Sequence, residues 1–319
     1  MTSYKGYEED VRQTLWSWAD RHYRGKLDDG KREGRPPVLA REFASENVLV
    51  PPKNESKARD IRDALSRGRH RWFHSLKSSQ SLAQSVFGAL RAFNRLDLLQ
   101  DVYAECGQSA FFADRNGWKL CLEHEMNNLR EPRPTSVDVL LSESEKRVAI
   151  ECKFTEQEFG TCSRPRLRPS DANYAEQHCN GKYQIQRSRH ERCALTEIGI
   201  RYWEHLPHLF DRPSDQDHEP CPFGEVYQLA RNALASALTP HGELDLTGGH
   251  ALVVYDARNP KFQDGGKATE QWTEAVSVCR MPGLLRRLSW QRLMAAISRA
   301  PELEYLVNGV REKYGIESD

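Results

Sequence analysis

The sequence lacks the features that would assign it to a membrane or secreted class. It has no apolar run near the roughly 18 residues that a bilayer-spanning helix needs. Its first residues, MTSYKGYEEDVRQ, have neither the apolar segment of a signal peptide nor an acid-poor transit pattern. Internal repeats and low-complexity tracts are also absent. We therefore expect a cytoplasmic globular protein with no membrane partner, and 319 residues allow one large or two ordinary domains.

Net charge is absent too, because 46 basic side chains balance 46 acidic ones. The average composition therefore gives no argument for nucleic acid. Basic residues nevertheless cluster in SRGRHRWFHSLK (66–77), SRPRLRP (163–169) and QRSRHER (186–192). Phosphate binding depends on local potential, so these clusters are candidate nucleic-acid contacts. The alternative is that each is an ordinary solvated surface.

The eight cysteines include no CxxC pair, and disulfides are not expected in a cytoplasmic protein. Four of them stand among apolar residues and are predicted to be small core residues, namely Cys106, Cys121, Cys152 and Cys279. The other four stand in a polar, arginine-rich segment where burial does not explain them, namely Cys162, Cys179, Cys193 and Cys221.

Hydrophobic periodicity predicts an α/β order of elements. Helices are expected at 5–24, 56–67, 78–105 (a long helix or a helix pair, with serines as caps), 223–238 and 283–299, the last as the final helix. Strands are expected at 118–127, 136–142, 147–156 and 248–258. Residues 25–37 are predicted to form a loop or linker, and 157–222 is too long for a plain connection, so we interpret it as an insertion.

The two central strands carry an unusual set of charges. Glu151 and Lys153 are two residues apart and so share one face, which Asp138 can reach from the neighbouring strand. Two carboxylates beside a backbone carbonyl suit Mg²⁺, which can polarise a phosphodiester and activate water, and Lys153 can orient that water. The alternative is an ion pair on a solvated sheet face. The apolar residues at 148, 150, 152 and 154 favour one buried face with the charges on the other.

This order of Asp, then Glu-x-Lys on the next strand, resembles the PD-(D/E)XK nuclease superfamily, the fold of type II restriction endonucleases. The matching residues are VD at 137–138 and ECK at 151–153, with Val137 in place of the proline. The stretches SSQ (78–80), LEH, VDVLL, IECKFTE and YQLARN (227–232) are similar to an uncharacterised restriction-endonuclease-like subgroup. The resemblance covers roughly residues 78–258.

The resemblance implies an αβββαβ core, a mixed sheet flanked by helices, in a nuclease domain at 76–319 that follows an N-terminal helical region at 1–75. Asp138 and Glu151 would bind Mg²⁺ or Mn²⁺, with Glu123 as an auxiliary acid and Glu125 as its rival. Lys153 would position the water, and Gln228 and Arg231 would support the metal or phosphate. His124 is more simply a sheet histidine. Independently of the resemblance, the basic clusters predict that the DNA backbone is held by Arg164, Arg166, Arg168, Arg187 and Arg189.

The insertion cysteines form a second group of candidate ligands. Cys162, Cys179, Cys193 and Cys221 suggest a structural Zn²⁺ or an iron–sulfur cluster, with His178 or His190 as substitute ligands. The alternative is four unrelated thiols.

The leading hypothesis is a metal-dependent DNA endonuclease in restriction or defence, with DNA and a second copy of the chain as expected partners. The alternatives are a nucleic-acid-binding module with a degenerate nuclease core, or a nuclease for RNA or branched DNA.

Overall fold

The architecture is a mixed β-sheet covered by helices on both faces. The computed structural model describes residues 3–28, 34–65, 68–111, 117–131, 134–162, 193–213 and 221–319. Helices in these ranges are α1 Tyr4–His22, α2 Glu55–Asp63, α3 Ser79–Ala92, α4 Ala194–Glu197, α5 Tyr202–Leu209, α6 Tyr227–Ala237, α7 Lys267–Ser277, α8 Trp290–Ile297 and α9 Glu304–Tyr314. The strands are β1 Lys119–Met126, β2 Thr135–Glu143, β3 Lys146–Cys152, β4 Gly249–Tyr255 and β5 Leu285–Ser289. None of the described helices is both long and apolar enough to cross a membrane.

The strands lie side by side in the order in which they occur in the chain. β1, β2 and β3 form an antiparallel meander, and β4 and β5 continue the sheet parallel to β3. A parallel neighbour requires a crossover connection, and α6 lies in the crossover between β3 and β4. The predicted αβββαβ order, formed here by α3, β1, β2, β3, α6 and β4, is therefore confirmed.

The alternation of side chains along β3 separates two hydrophobic cores. Val148, Ile150 and Cys152 pack with α1, α3, α8 and α9 on one face of the sheet. Ala149 packs with α5, α6 and α7 on the other face. Because the side-chain period of a strand is two, Glu151 continues the face of Ala149 and points towards α6. The apolar residues at 148, 150 and 152 share one face, as predicted, but the opposite face also packs in a hydrophobic core, and Glu151 and Lys153 lie only at its end.

Helix α3 begins where the sequence predicts and ends earlier than expected. The side chain of Ser78 caps it by accepting the Ser81 N–H at 3.3 Å. Ten consecutive residues, from Ser81 to Leu90, are buried between the sheet and the neighbouring helices. The helix ends at Ala92 because Asn94 adopts a left-handed conformation, with φ at 54°. A short 3₁₀ helix, Leu96–Leu99, follows α3, and residues 100–105 are not helical, so the predicted helix or helix pair ends earlier than residue 105.

The predicted final helix over 283–299 is wrong in two respects. Its first part, Leu285–Ser289, is strand β5, and α9 follows α8 as a later helix. The leucines at 284, 285 and 288 suit a helix as well as a strand, so the local pattern does not separate the two. Pairing with the free edge of β4, where Ala251 lies beside Leu285, decides in favour of the strand.

Two of the four cysteines predicted to be core residues are exposed. Cys152 is buried and Cys279 is half-buried, but Cys106 and Cys121 are exposed. Cys121 stands between Leu120 and Leu122 on edge strand β1, where alternate side chains face away from the core. Apolar neighbours in sequence therefore do not imply burial on an edge strand.

The N-terminal region packs on the same sheet as the rest of the chain. Tyr7, Val11 and Leu15 of α1 share a core with β3 and α9. The described part of the predicted insertion contains α4 and α5. The division into an N-terminal region at 1–75 and a nuclease domain at 76–319 stays a prediction.

Candidate active site

An open cleft lies where β1, β2 and β3 carry their polar residues. About 1270 Å³ of it is accessible to the centres of water molecules. Its wall includes six residues that the sequence singled out, namely Glu123, Asp138, Glu151, Lys153, Gln228 and Arg231. The fold thus brings residues of three strands and one helix into a single space.

Asp138 and Glu151 occupy neighbouring positions on adjacent strands. Val139 pairs with Ile150 in the antiparallel β2–β3 ladder, so Asp138 and Glu151 stand at the next opposed positions. One carboxylate oxygen of Asp138, Oδ2, accepts the backbone N–H of Cys152 at 2.7 Å. This bond fixes the Asp138 carboxylate against the segment that carries Glu151 and Lys153.

The ammonium group of Lys153 is buried between two acceptors. Its Nζ lies 2.8 Å from Glu151 Oε1 and donates to Gln228 Oε1 at 2.6 Å. Burial lowers the pKa of Lys153, but the carboxylates of Glu151 and Glu156 outweigh burial, and the net pKa is raised. Lys153 is therefore a cation at neutral pH. It can donate hydrogen bonds, but it is not a proton acceptor.

Glu151 is held in its ionised form by its neighbours. Burial raises its pKa, but the charge of Lys153 and hydrogen bonds from Lys153 and Asn232 reverse the effect, so the pKa is lowered. The amide of Asn232 donates to Glu151 Oε2 at 2.9 Å. We did not single out Asn232 from the sequence. Its position four residues after Gln228 on one helix face was the available signal.

The pKa values of the other two acids, Asp138 and Glu123, are raised rather than lowered. Burial, followed by the charges of Glu151 and Glu123, raises the pKa of Asp138 well above its usual value. Burial also raises the pKa of Glu123, and Glu151 adds to that rise. Three acids therefore repel one another in a confined space, and a cation would relieve this repulsion. Across the described ranges, no group of three or more His, Cys, Asp or Glu side chains is arranged to hold a metal ion by itself.

Glu123 has a strained backbone in the middle of a strand. Its φ is 49°, which an L-residue adopts only at a cost. Its carboxylate accepts the amide of Gln80 at 2.5 Å and the hydroxyl of Ser136 at 2.6 Å. The structure places Glu123 in the cleft and leaves its rival Glu125 exposed. Gln80 was part of the SSQ stretch, and neither it nor Ser136 was assigned a role from the sequence.

The chain leaving β3 is held in place from several sides. Trp290 Nε1 donates to the Lys153 carbonyl at 2.9 Å. Tyr7 of α1 donates to the Phe154 carbonyl at 2.8 Å, and Tyr4 donates to the Thr155 carbonyl at 2.7 Å. Sequence patterns could not indicate these contacts, because their partners lie more than a hundred residues away. They fix the position from which Lys153 extends.

Helix α6 supplies two further residues. Gln228 Oε1 accepts two hydrogen bonds, one from the Gly160 N–H at 3.0 Å and one from the Lys153 ammonium group. A Cβ on Gly160 would lie 2.9 Å from Gln228 Cδ, so a side chain at this position would displace Gln228 from Lys153. Arg231 stacks over Tyr227, with its guanidinium carbon 5.2 Å from the ring centroid, and Nη2 lies 3.4 Å from the Ser136 carbonyl. Both side chains line the cleft.

Several predicted residues lie outside the described ranges. These are the proposed backbone-binding residues Arg164, Arg166, Arg168, Arg187 and Arg189, together with Cys179, His178 and His190. The other basic cluster, at 66–77, is described for residues 68–77, and His70, Trp72 and His74 line the same cleft as the acids.

Three of the insertion cysteines contribute to the lining of one small cavity, although no group of three in the described residues is arranged to hold a metal ion. Cys162, Cys193 and Cys221 line it, with about 30 Å³ accessible to water centres. The Cys162 N–H donates to the Gly224 carbonyl at 2.9 Å, and the Gly224 N–H donates to the Cys221 carbonyl at 3.0 Å, so two cysteine loops are joined directly. The predicted metal cluster itself stays a prediction.

The comparisons with known proteins assign the family. A family model described as restriction endonuclease associating with ARP matches residues 11–315. Neither a curated protein nor a solved structure matches the chain. The matched region contains the whole sheet and all six of the singled-out residues that line the cleft, from Glu123 to Arg231. The chain therefore belongs to the family of restriction endonucleases associating with ARP.

Proposed function

We propose that the protein is a metal-dependent endonuclease of the PD-(D/E)XK type that hydrolyses DNA phosphodiester bonds. The observation that carries this proposal is the arrangement of Asp138, Glu151 and Lys153 in one cleft, with the lysine held as a cation beside the glutamate. The family description, restriction endonuclease, supports a role in restriction or defence against foreign DNA.

The donor atoms fit a hard divalent cation. The acids in the cleft offer only oxygen, which Mg²⁺ and Mn²⁺ prefer to nitrogen or sulfur. Mg²⁺ is usually bound by one or two carboxylates, with waters and substrate phosphates completing its shell. Asp138 and Glu151 would hold the ion, with Glu123 next to them. The bound ion supplies Lewis-acid polarisation of the phosphate and a water of lowered pKa.

Each remaining residue has a role that follows from its charge and contacts. Lys153 is protonated, so it can orient the attacking water and offset charge that develops on the phosphate. Gln228 and Asn232 fix the Lys153–Glu151 pair from α6. Arg231 can contact a phosphate oxygen from the same helix. Because Lys153 cannot accept the water proton, a carboxylate, the substrate phosphate or solvent must take it.

The alternatives are a nucleic-acid-binding module with a degenerate centre and a nuclease for RNA or branched DNA. A degenerate site has no need for a buried, mutually neutralising acid and lysine, which favours activity. The same centre could hydrolyse any phosphodiester that fits, so the substrate must be identified by assay.

The test is cleavage of duplex DNA, single-stranded DNA and RNA by the purified chain in Mg²⁺, Mn²⁺ or EDTA. We expect DNA cleavage that requires a divalent ion. Asp138→Asn, Glu151→Gln and Lys153→Met should each reduce the rate at least about 100-fold, in line with the loss of one stabilising group. Glu125→Gln is the matched control, because this acid lies on β1 but is exposed. Full activity in Glu151→Gln would refute the assignment, and binding without cleavage would favour the module.

A further inference from the structure

The basic segment 66–77 has no role in the catalytic proposal, yet part of it forms the cleft wall. His70, Trp72 and His74 line the same cleft as Asp138 and Lys153. The N-terminal region therefore contributes directly to the space in which a substrate would lie. A segment that contains arginine, histidine and tryptophan side chains offers both charge and aromatic surface to a nucleic acid.

Trp72 is the exposed aromatic side chain of this wall. It is 51% exposed, and the guanidinium carbon of Arg71 lies 4.7 Å from its ring centroid. The His74 ring is nearly parallel to it, at an interplanar angle of 23° and a centroid distance of 6.1 Å. We call His70, Arg71, Trp72 and His74 the stacking platform.

Buried contacts hold the backbone of the stacking platform in place. Phe73 is 2% exposed, and Asn47 Nδ2 donates to the carbonyls of Phe73 at 2.6 Å and Ser75 at 2.8 Å. Lys313 of α9 donates in turn to Asn47 Oδ1 at 2.7 Å. An aromatic group that is already ordered loses less conformational entropy on binding than one on a mobile loop.

The platform is also connected to the acids. The Trp72 N–H donates to His70 Nδ1 at 3.3 Å, and the His70 N–H donates to Gln80 Oε1 at 2.8 Å. Gln80 donates to the Glu123 carboxylate at 2.5 Å. A Cβ on Gly68 would lie 3.4 Å from Glu123 Cβ, so the loop touches the strand itself. Three hydrogen bonds, through His70 and Gln80, therefore connect Trp72 with Glu123.

The chemistry of the substrate decides what can occupy the platform. Arg71 can attract a phosphate group of the substrate. The cleft wall also contains the acids Asp28 and Glu8, which would repel a phosphate, but the charge of Glu8 is offset by Lys77 at 2.5 Å. The flat partner that an indole prefers is a nucleobase. In an intact duplex both faces of a base are covered by its neighbours. Only an unpaired or extruded base therefore has a face that is free to stack on Trp72.

We propose that Trp72 stacks on an unpaired nucleobase of the DNA substrate beside the cleaved phosphate. The protein would then prefer DNA with a single-stranded or distorted segment over a regular duplex. This inference rests on the proposed function only in taking DNA as the substrate.

The test measures binding of the full chain in EDTA, so that cleavage does not interfere. The probes are a regular DNA duplex, the same duplex with one unpaired 2-aminopurine, and the corresponding single strand. Trp72→Ala should weaken binding of the last two by roughly 5- to 100-fold and abolish the quenching of 2-aminopurine emission that reports stacking. Trp72→Phe should retain most of the affinity, because a phenyl ring also stacks on a base, but little of the quenching, because phenyl is a poor electron donor. Tyr103→Ala is the matched control, since Tyr103 is 59% exposed and does not line the cleft.

The outcomes separate this inference from the proposed function. Wild-type affinity and quenching in Trp72→Ala would overturn the stacking role, whether or not the wild-type protein cleaves DNA. An equal loss of affinity for all three probes would also overturn it, because a regular duplex offers no free base face. Stacking that depends on Trp72, in a protein that cleaves nothing in Mg²⁺ or Mn²⁺, would support this inference and reject the nuclease proposal.

Discussion

The environment of Lys153 shows how a single buried charge is stabilised and used. Its ammonium group is 2.8 Å from Glu151 and 2.6 Å from Gln228, in a side chain that is almost fully buried. A buried ion pair adds little net stability, because desolvation offsets the attraction, but breaking such a pair is costly. Its position in the wall of the cleft therefore favours a chemical role for the pair.

This pair predicts a non-additive response to mutation. In EDTA, Lys153→Met should lower the free energy of unfolding by about 3–5 kcal/mol, because Glu151 is left buried without its partner. The double variant Glu151→Gln with Lys153→Met should recover most of that loss. The measurement is urea unfolding of each variant. As a control, Arg201→Met breaks a more exposed pair with Glu204 and should cost no more than about 1 kcal/mol. Equal losses in the single and double variants would contradict this account.

His250 predicts a loss of stability in acid. It is 1% exposed, and burial, with the charge of Arg286, lowers its pKa to about 3. In the unfolded chain the pKa is about 6.5, so the unfolded state binds the proton first as the pH falls. The stabilising contribution is complete above about pH 6.5 and is lost towards pH 3. At about 1.36 kcal/mol per pKa unit, the loss is on the order of 5 kcal/mol.

The variant that tests this is His250→Gln, which can keep a hydrogen bond to the Ala110 carbonyl. Its free energy of unfolding should fall less steeply than that of the wild type between pH 6.5 and pH 4. His241→Gln, at an exposed position, should follow the wild-type curve. Parallel curves for His250→Gln and wild type would contradict the prediction.

At the scale of elements, α6 and the end of β3 act as one unit. Gln228 and Asn232, one helical turn apart, each bond one member of the Glu151–Lys153 pair. The close approach of Gly160 to Gln228 holds the chain after β3 against the same helix. The site therefore depends on the packing of one helix against one strand as well as on the motif residues.

The insertion carries a prediction about metal content. If Cys162, Cys193 and Cys221 form a metal site together with Cys179, which lies outside the described residues, purified protein should contain about one equivalent of zinc, or the iron of one cluster, per chain. Cys221→Ser should lose that metal and destabilise the segment, whereas Cys106→Ser, at an exposed site away from the cavity, should keep it. Elemental analysis of the folded proteins gives the measurement. A metal-free, folded wild type would reject the cluster.

At the scale of the whole molecule, the N-terminal region and the sheet share one core. Tyr7, Leu15, Leu39 and Val48 are each at most 3% exposed and belong to the core that also contains Val148 and Ile150. Tyr4 and Glu8 also line the cleft. The first part of the chain therefore contributes both to stability and to the shape of the candidate site.

This shared core predicts the behaviour of a truncated chain. A fragment of residues 76–319 should not fold cooperatively. Each large buried side chain that is removed costs about 2–5 kcal/mol, and a typical domain has only about 5–15 kcal/mol in total. Removing residues 317–319, which are exposed, should change nothing and is the control. Far-ultraviolet circular dichroism during urea titration gives the measurement. A cooperative transition in the fragment would support the predicted boundary near residue 75 as a domain limit.

The sequence by itself determined the elements whose patterns are local. The alternation in β3, with apolar residues at 148, 150 and 152 against Glu151 and Lys153, specifies which face is charged, because the strand period is two. The capping serine before α3 specifies where that helix begins. Asp138, Glu151 and Lys153 are therefore identifiable as a group from the sequence alone.

Tertiary structure decided what local patterns leave open. Residues 285–289 became a strand because the edge of β4 was free, and α3 ended at Ala92 where the chain turned left-handed at Asn94. Asn232 and Gln80 joined the site through contacts that span 81 and 43 residues, and Trp72 came to the same cleft. Such contacts depend on how distant segments pack, and periodicity along the chain carries no information about that packing.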